Sequence, residues 1–316
     1  MWNDALCYQQ YGAPETVLAL HHLPLPPLAP GLVRVQMRYA PVNPSDLIPI
    51  TGAYRHRTTL PSVAGYEGVG VVVEASMRGY PLLGQRVLPL RGGGTWQRYL
   101  DIDPHWLVSV AQGIDDEVAA RGYINPLTAM LMLTRWPVVG KHVLLTAASS
   151  SCASLLAQWA LAMGARSVSG IIRSPRHAPR LQQYGVYPLL ENDRALIEQV
   201  SQYSELVFDA VGGELADLLL SVLPVTSTLV SYGLLSGRPF TQTRASAAVR
   251  KFHLREALPT LSVEQWQGTF AEIWQRLPTT MQPPAQRLVF RDWREAIAAA
   301  GQPGKGGKIL LDFTAS

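Results

Sequence analysis

The sequence predicts an α/β protein in which a doubly wound parallel sheet is joined to a β-rich part. Three observations carry this expectation. The first third is dominated by β-branched runs bounded by glycine and proline. From about residue 116, short apolar runs alternate with helical patterns, the texture of strand–helix–strand units. The C-terminal segment returns to strand texture around one short helix, so the tail is expected to rejoin the β-rich part. A length of 316 residues suits two such domains. The expected division is 1–118 with 284–316 as the β-rich domain, and 119–283 as the parallel-sheet domain.

Each element has a local reason. "LVRVQMRYAPV" and "GVGVVVEAS" are β-branched runs, and "PLLGQRVLPL" and "TWQRYLDI" alternate or are closed by Gly and Pro. Pro24, Pro26, Pro27 and Pro30 mark a loop between short strands. "KHVLLTAA" predicts a strand. After it Ala153, Leu156, Ala157, Ala160, Leu161 and Gly164 recur at i, i+3, i+4, i+7, i+8 and i+11, one face of a helix. "SVSGIIR" and "SELVFDAV" predict two more strands, "GELADLLLSVL" a helix, and "STLVSYGLL" a strand expected near the sheet edge. "SVEQWQGTFAEIWQRL" is an amphipathic helix. "QRLVF" and "GKILLDF" are strands flanking the helix "RDWREAIAAA".

Composition excludes several classes. With 47% hydrophobic and 16% charged residues, the chain can bury a sizeable core. A net charge of +4 without a Lys/Arg cluster argues against nucleic-acid binding. Cys7 and Cys152 are too few for a disulfide framework or a four-thiolate zinc site. The opening residues lack a basic segment followed by an apolar one. No uninterrupted apolar stretch reaches about 18 residues, so no membrane span is expected. Together these predict a soluble, cytoplasmic protein.

The segment "TAASSSCAS", residues 146–154, sits between a predicted strand and a predicted helix. That is where a dinucleotide-binding loop lies in a doubly wound sheet. Such loops favour glycine, and this one has none. Ser149, Ser150 and Ser151 can still donate to phosphate or cap the helix, and Ala153 suits close helix–strand packing. The loop by itself also fits a serine-capped crossover helix that binds nothing. After the second strand comes "RSPRHAPR", with Arg173, Arg176 and Arg180 and no acid. An acid there suits the ribose hydroxyls of NAD, whereas an arginine suits the 2′-phosphate of NADP, so the pattern favours NADPH.

Further motifs run in order along nearly the whole chain: "GAPETVL", "APVNPSDLIPITGAY", "LPSVAGYEGVGVVVE", "GTWQRY", "INPLTAMLML", "FDAVGG", "SYGLLSGRPF" and "GKILLDF". Through them the sequence resembles the medium-chain dehydrogenase/reductase superfamily, most closely its zinc-free 2-enoyl thioester reductases. The resemblance implies a Rossmann doubly wound sheet plus a β-rich GroES-like catalytic domain. It implies NADPH as cofactor and an acyl thioester, on coenzyme A or acyl carrier protein, as substrate. Fatty-acid or secondary-metabolite synthesis would be the setting, and a homodimer the assembly.

The resemblance also implies roles. Tyr54 falls at the proton-donating tyrosine. Asn125 and Thr128 fall on cofactor contacts, Ser149, Ser150, Ser151 and Cys152 on the pyrophosphate loop, and Arg173 with Ser174 and Arg176 on the 2′-phosphate. Tyr232 and Leu234 fall beside the nicotinamide, and Phe252 and Lys308 on further cofactor contacts. Asn43, Tyr66, Trp96 and Arg55 are expected at the substrate, with Trp96 either pocket wall or core. Zinc members carry a cysteine where Asn43 lies and a histidine where Tyr66 lies, so no catalytic metal is expected. Arg55, His56 and Arg57 flank Tyr54, and a basic mouth there would attract the phosphates of a thioester carrier. A solvated polar loop is the competing reading of that triplet, and a packing role that of Tyr54. Two other readings of the chain stay open: a reductase of free enones or quinones, and a non-catalytic relative with a degenerate loop.

Overall fold

A computed structural model describes residues 1–53, 55–76, 81–91, 94–242, 246–302 and 307–315. In chain order the strands and helices are β1 (Trp2–Tyr8), α1 (Pro14–Val17), β2 (Leu18–Pro24), β3 (Val33–Pro41), α2 (Pro44–Leu47), β4 (Ser62–Val63), β5 (Val69–Ala75), β6 (Arg86–Leu88), β7 (Tyr99–Ile102), β8 (Val108–Ser109), α3 (Asp116–Ala119) and α4 (Ile124–Arg135). Then follow β9 (His142–Leu145), α5 (Ser151–Ala162), β10 (Ser167–Ile172), α6 (Ala178–Gln183), β11 (Tyr187–Leu190), α7 (Arg194–Ser201), β12 (Leu206–Asp209), α8 (Gly213–Val222), β13 (Thr228–Ser231) and β14 (Ala248–Lys251). The chain closes with α9 (Leu254–Ala257), α10 (Val263–Arg276), β15 (Ala285–Val289), α11 (Trp293–Gly301) and β16 (Lys308–Asp312). Contacts divide it into two compact units: Met1–Ile124 with Val263–Pro278 and Pro283–Ser316, and Asn125–Ser262 with Thr279–Gln282.

The first unit is β-rich. One sheet runs β15-β16-β3-β5-β6-β8 with β7 also on β3, and a three-stranded sheet runs β2-β1-β4. The tail does rejoin this unit: β16 pairs antiparallel with β3, Leu311 opposite Ala40. Its core gathers Leu6, Val35, Met37, Trp96, Phe290 and Leu311. Helix α10, inside the segment expected for the parallel-sheet domain, packs on the first unit instead. Trp266, Phe270, Ile273 and Trp274, at i, i+4, i+7 and i+8, are its buried face. Trp274 Nε1 donates to the Ser109 carbonyl at 3.0 Å, and Gln267 Nε2 to that of Leu107 at 2.9 Å.

The second unit is one six-stranded sheet in the order β11-β10-β9-β12-β13-β14. Every pairing is parallel. In chain order this is 3-2-1-4-5-6, the doubly wound arrangement, with its direction reversing between β9 and β12. Helices on both faces explain why β12, "LVFD", is buried at every position rather than alternating. "STLVSYGLL" is not at the edge. Its strand ends at Ser231, and β14 pairs outside it. The four residues "AVRK" are too short and polar to signal a strand by periodicity, so only register reveals the true edge. Helix α5 also buries more than the single face its apolar repeat marks, including Cys152, Ser154, Leu155 and Trp159. The reason is the segment Thr279–Gln282, which returns to this unit and covers it. Trp159 Nε1 donates to Thr280 Oγ1 at 2.8 Å, and Gln158 Nε2 to the Met281 carbonyl at 2.9 Å.

Among the described residues, no helix is long and apolar enough to cross a membrane.

Candidate active site

Ligands of doubly wound sheets lie beyond the carboxyl ends of the strands, where the order reverses. In the second unit that point is closed by a buried polar pair. Thr146, just past β9, donates from Oγ1 to Asp209 Oδ1 at the end of β12 (2.7 Å) and accepts from the Ala210 amide (2.8 Å). The carboxylate also accepts from the amides of Val211 and Gly212, each at 3.0 Å. Burial raises the Asp209 pKa, and these hydrogen bonds oppose the rise. The pair ties the two strand ends that flank the crevice. Neither residue was among the sequence candidates, although "FDAVGG" was recognised. An acid ending an apolar strand is the signal that could have found it.

The glycine-free loop makes its turn by other means. Ala147 alone in it takes a left-handed φ of 46°, and the Ser150 amide closes back on the Ala147 carbonyl at 2.8 Å. Ser150 is the N-cap of α5, its Oγ accepting from the Ala153 amide at 3.3 Å. The start of this twelve-residue helix leaves amides without intrahelical partners and a partial positive charge. Close approach is provided from the neighbouring strand. A Cβ on Gly170 of β10 would stand 2.5 Å from the Ala148 Cβ, so the missing glycine of the loop lies on β10. A glycine inside a strand pattern is the sequence signal for such contact. Ser151 needs no positive φ, being the first residue of the helix.

Ala147→Gly is therefore expected to stabilise the protein by about 0.8 kcal/mol, with about 1.6 kcal/mol as the upper limit. That is the relief of about 1–2 kcal/mol of left-handed strain less the roughly 0.4–1 kcal/mol that glycine adds to unfolded-state entropy. Chemical denaturation would measure it, and a destabilised variant would show that Ala147 is unstrained.

Asn125, Cys152 and Tyr232 meet at the start of α5. Cys152 Sγ approaches the Asn125 carbonyl at 3.9 Å. Burial pushes the thiol up to about 12. Burial, with Cys152 and Asp209 beside it, also raises Tyr232 well above the ordinary tyrosine value. This cysteine is a packing group rather than a nucleophile. Thr128 is buried on α4 and Phe252 is buried with its ring 6.2 Å from that of Trp136. Leu234 is 51% exposed in the irregular segment after β13. Arg173 follows β10 and is exposed, Ser174 is half-buried, and Arg176 is exposed with Nε 3.5 Å from His177 Nε2.

Two candidates of the first unit, Asn43 and Lys308, belong to a buried ionic cluster. Asn43 caps α2, its amide donating to Asp46 Oδ2 at 2.8 Å. Its Nδ2 donates to Glu67 Oε1 at 2.7 Å, and its Oδ1 accepts from Lys308 Nζ. Glu67 Oε2 accepts from the Ile124 amide at 2.8 Å. Burial raises the Asp46 pKa to about 7, aided by Glu67 and opposed by Lys308. Burial raises Glu67 as well, and lowers Lys308 against the pull of both carboxylates. Lys308, expected to face the cofactor, is 7% exposed and directed at Asn43. Asp46 and Glu67 were not among the candidates, because a single carboxylate near an apolar run carries no periodic signal.

Trp96 is core and not pocket wall: it is fully buried, donates from Nε1 to the Pro41 carbonyl at 3.3 Å, and lies 2.3 Å from where a Cβ on Gly65 would stand. Tyr66 is half-buried. Arg55 opens the turn Arg55–Arg57 and its Nε donates to the Gly52 carbonyl at 3.4 Å. Tyr54 lies outside the described residues.

Comparison with known proteins decides the family. The alcohol dehydrogenase GroES-like domain matches residues 29–112. The mitochondrial enoyl-[acyl-carrier-protein] reductase of Arabidopsis thaliana is 31% identical over 268 residues, covering 80% of this chain and 71% of the relative. That of Mus musculus is 30% identical over 331 residues, covering 97% and 88%. The chain belongs to the zinc-free 2-enoyl thioester reductase branch of the medium-chain dehydrogenase/reductase superfamily. A solved structure from Bacillus thuringiensis, named as a candidate NADPH:quinone reductase, superposes with a TM-score of 0.92 at 30% identity over 99% of both chains. The complex of Etr1p with NADP and crotonyl-CoA superposes with a TM-score of 0.85 at 22% identity, over 99% of this chain and 100% of that one, which bears on the fold.

The family's cofactor can be tested against the residues present. The capped start of α5, the close approach of β10 at Gly170, and the basic, acid-free run from Arg173 to Arg180 fit a dinucleotide carrying an extra phosphate.

Proposed function

We propose that this protein is an NADPH-dependent reductase of the C=C bond of α,β-unsaturated thioesters. The observation that carries the reading is the identity of 30–31% to mitochondrial enoyl-[acyl-carrier-protein] reductases, at 88% and 71% of their lengths. When bound, NADPH supplies the hydride for the β-carbon. The chain's own residues bind, orient and deliver the proton. Ser149, Ser150, Ser151 and Cys152 hold the pyrophosphate at the start of α5, with Asn125, Thr128, Tyr232, Leu234 and Phe252 along the rest of the cofactor. Tyr54 donates its proton to the α-carbon as charge develops on the thioester oxygen. With an unperturbed pKa near 10, a tyrosine arrives protonated at neutral pH. Arg55 attracts the carrier's phosphates. Asn43 and Tyr66 stand toward the substrate. Lys308, whose ammonium donates to Asn43, provides a further cofactor contact.

The test is NADPH oxidation with a crotonyl thioester, a free enone and a quinone side by side. The expected result is the highest kcat/KM on the thioester. The likeness to the protein from Bacillus thuringiensis supports a second reading, quinone reduction. A quinone turned over fastest would select it. NADPH binding without any turnover would support a non-catalytic role.

Preference for NADPH over NADH should rest on Arg173, with Ser174 and Arg176 completing the phosphate site. Hydrogen bonds to charged groups contribute roughly 1.5–3 kcal/mol, or about 10- to 100-fold. Arg173→Ala is expected to weaken NADPH by that factor and leave NADH nearly unchanged. Calorimetry with both cofactors measures it, and equal losses would remove Arg173 from the 2′-phosphate.

A homodimer formed through the exposed edge of the parallel sheet fits the strand order. The edge is β14, whose Arg250 and Lys251 are exposed and whose backbone would otherwise stay unpaired on one side. Light scattering at micromolar concentration is expected to return twice the mass of one chain, and a monomer would refute the assembly.

A further inference from the structure

Arg180 stands in the basic run after β10, where sequence alone groups it with Arg173 and Arg176. Its side chain is used differently. It projects from α6 to the loop that follows the neighbouring strand β9, and Nη2 donates to the Ser149 carbonyl at 3.0 Å across 31 residues. Among the described residues its guanidinium pairs with no carboxylate, and its Nε is buried without a hydrogen-bond partner. Burial, followed by the charges of Arg180 and Arg176, holds His177 below the ordinary histidine value.

The loop's chemistry explains what such a contact does. A site for pyrophosphate must present amides and turn its carbonyls away, because a carbonyl oxygen aimed at an anion repels it. Glycine loops solve this with backbone conformations that other residues avoid. Here Ala147 is the loop's one left-handed residue, and it controls the turn before Ser149 rather than the Ser149 carbonyl itself. That carbonyl is the one Arg180 takes.

We propose that Arg180 is a positioning residue for the dinucleotide: it draws the Ser149 carbonyl away from the pyrophosphate and places a fixed positive charge behind the loop, in place of the missing glycines. The inference rests on the reductase reading above. It separates two arginines of one run. Arg173 distinguishes the two nicotinamide cofactors, and Arg180 serves the pyrophosphate that both share.

The experiment is calorimetric titration of wild type, Arg180→Ala, Arg180→Lys and Arg173→Ala with NADPH and with NADH, together with KM and kcat for the thioester reaction. Arg180→Ala is expected to weaken both cofactors by the same factor, roughly tenfold or more, from loss of a charged hydrogen bond. KM for NADPH should rise while kcat at saturation stays near wild type. Arg180→Lys, which keeps a cationic donor, should recover most of the affinity. A general loss of packing would not be rescued this way, and it would lower kcat as well. If Arg180→Ala does not fold, Arg180→Gln carries the test beside Arg180→Lys: the neutral glutamine is expected to weaken both cofactors by the same factor, and the lysine to bind both nearly as wild type does. A loss confined to NADPH, or unchanged affinity for both, overturns the inference alone. Wild type that binds neither cofactor overturns the reductase reading and this inference with it.

Discussion

Tyr54→Phe is expected to bind NADPH as tightly as wild type and to lose about 10²- to 10⁴-fold in kcat, the contribution of a positioned general acid. The substitution removes one hydroxyl and keeps the ring, so packing around it should be conserved. Reduction places charge on the substrate only after hydride arrives at the β-carbon, and an O–H delivered to the α-carbon matters at that moment and not in the ground state. The loss should therefore appear in kcat and kcat/KM together, with KM little changed. Calorimetry for NADPH and single-turnover kinetics with a crotonyl thioester would separate binding from chemistry. Unchanged turnover would remove Tyr54 from the reaction.

Lys308→Met should destabilise the protein by about 3–5 kcal/mol, because deleting one partner of a buried ionic group strands the others. The methionine keeps most of the apolar stem, so the effect isolates the ammonium. Without it, Asp46 and Glu67 lose their cationic partner and keep neutral hydrogen-bond donors such as Asn43 and the Ile124 amide. The pH dependence follows from Asp46. Its carboxyl stands at about 7 in the folded protein against an ordinary 3.8. A carboxyl raised by folding favours the folded state when protonated. Its stabilising contribution is fully present below about pH 4 and is lost as pH rises through about 7. Removing Lys308 pushes both carboxyls further up, so the deficit relative to wild type should be greatest above pH 7 and should shrink on acidification. Denaturation midpoints of both proteins at several pH values measure it. A deficit that is small and independent of pH would mean that the ammonium is solvated rather than paired. The variant Lys308→Met with Glu67→Gln should recover part of the loss.

The same cluster shows why function and stability are hard to separate near Asn43. The resemblance read from the sequence sets Asn43 where zinc-dependent members of the superfamily carry a cysteine. Here the cation beside it is an ammonium on a strand from the other end of the chain, 265 residues away. The second Asn43 partner, Glu67, also accepts the amide of Ile124, at the start of α4. A substitution at Asn43 would therefore disturb the fold together with the substrate contact proposed for it, and Lys308 gives the cleaner test of the network.

The sequence by itself determined the fold class, the return of the tail to the β-rich unit, and the serine-capped turn after β9. These are readable because they are local or periodic: β-branched runs, helical repeats, a cap residue three positions before the amide it accepts. The family was legible too, since its motifs are short and recur in order. Tertiary structure decided the rest, and in each case the deciding partner is distant in the chain. Gly170, on the adjacent strand, provides the close approach that the loop lacks. Arg180 turns from a phosphate candidate into a brace because the Ser149 carbonyl lies beside it. Trp96 becomes core once Gly65 and the Pro41 carbonyl enclose it. Strand β13 moves in from the edge because β14, four residues with no apolar repeat, pairs outside it. Lys308 joins Asn43, Asp46 and Glu67 only when β16 is laid against β3. Periodicity records which face of an element is apolar. It carries no record of which polar group will stand opposite after folding, and burial, pKa and the role of each side chain depend on that neighbour.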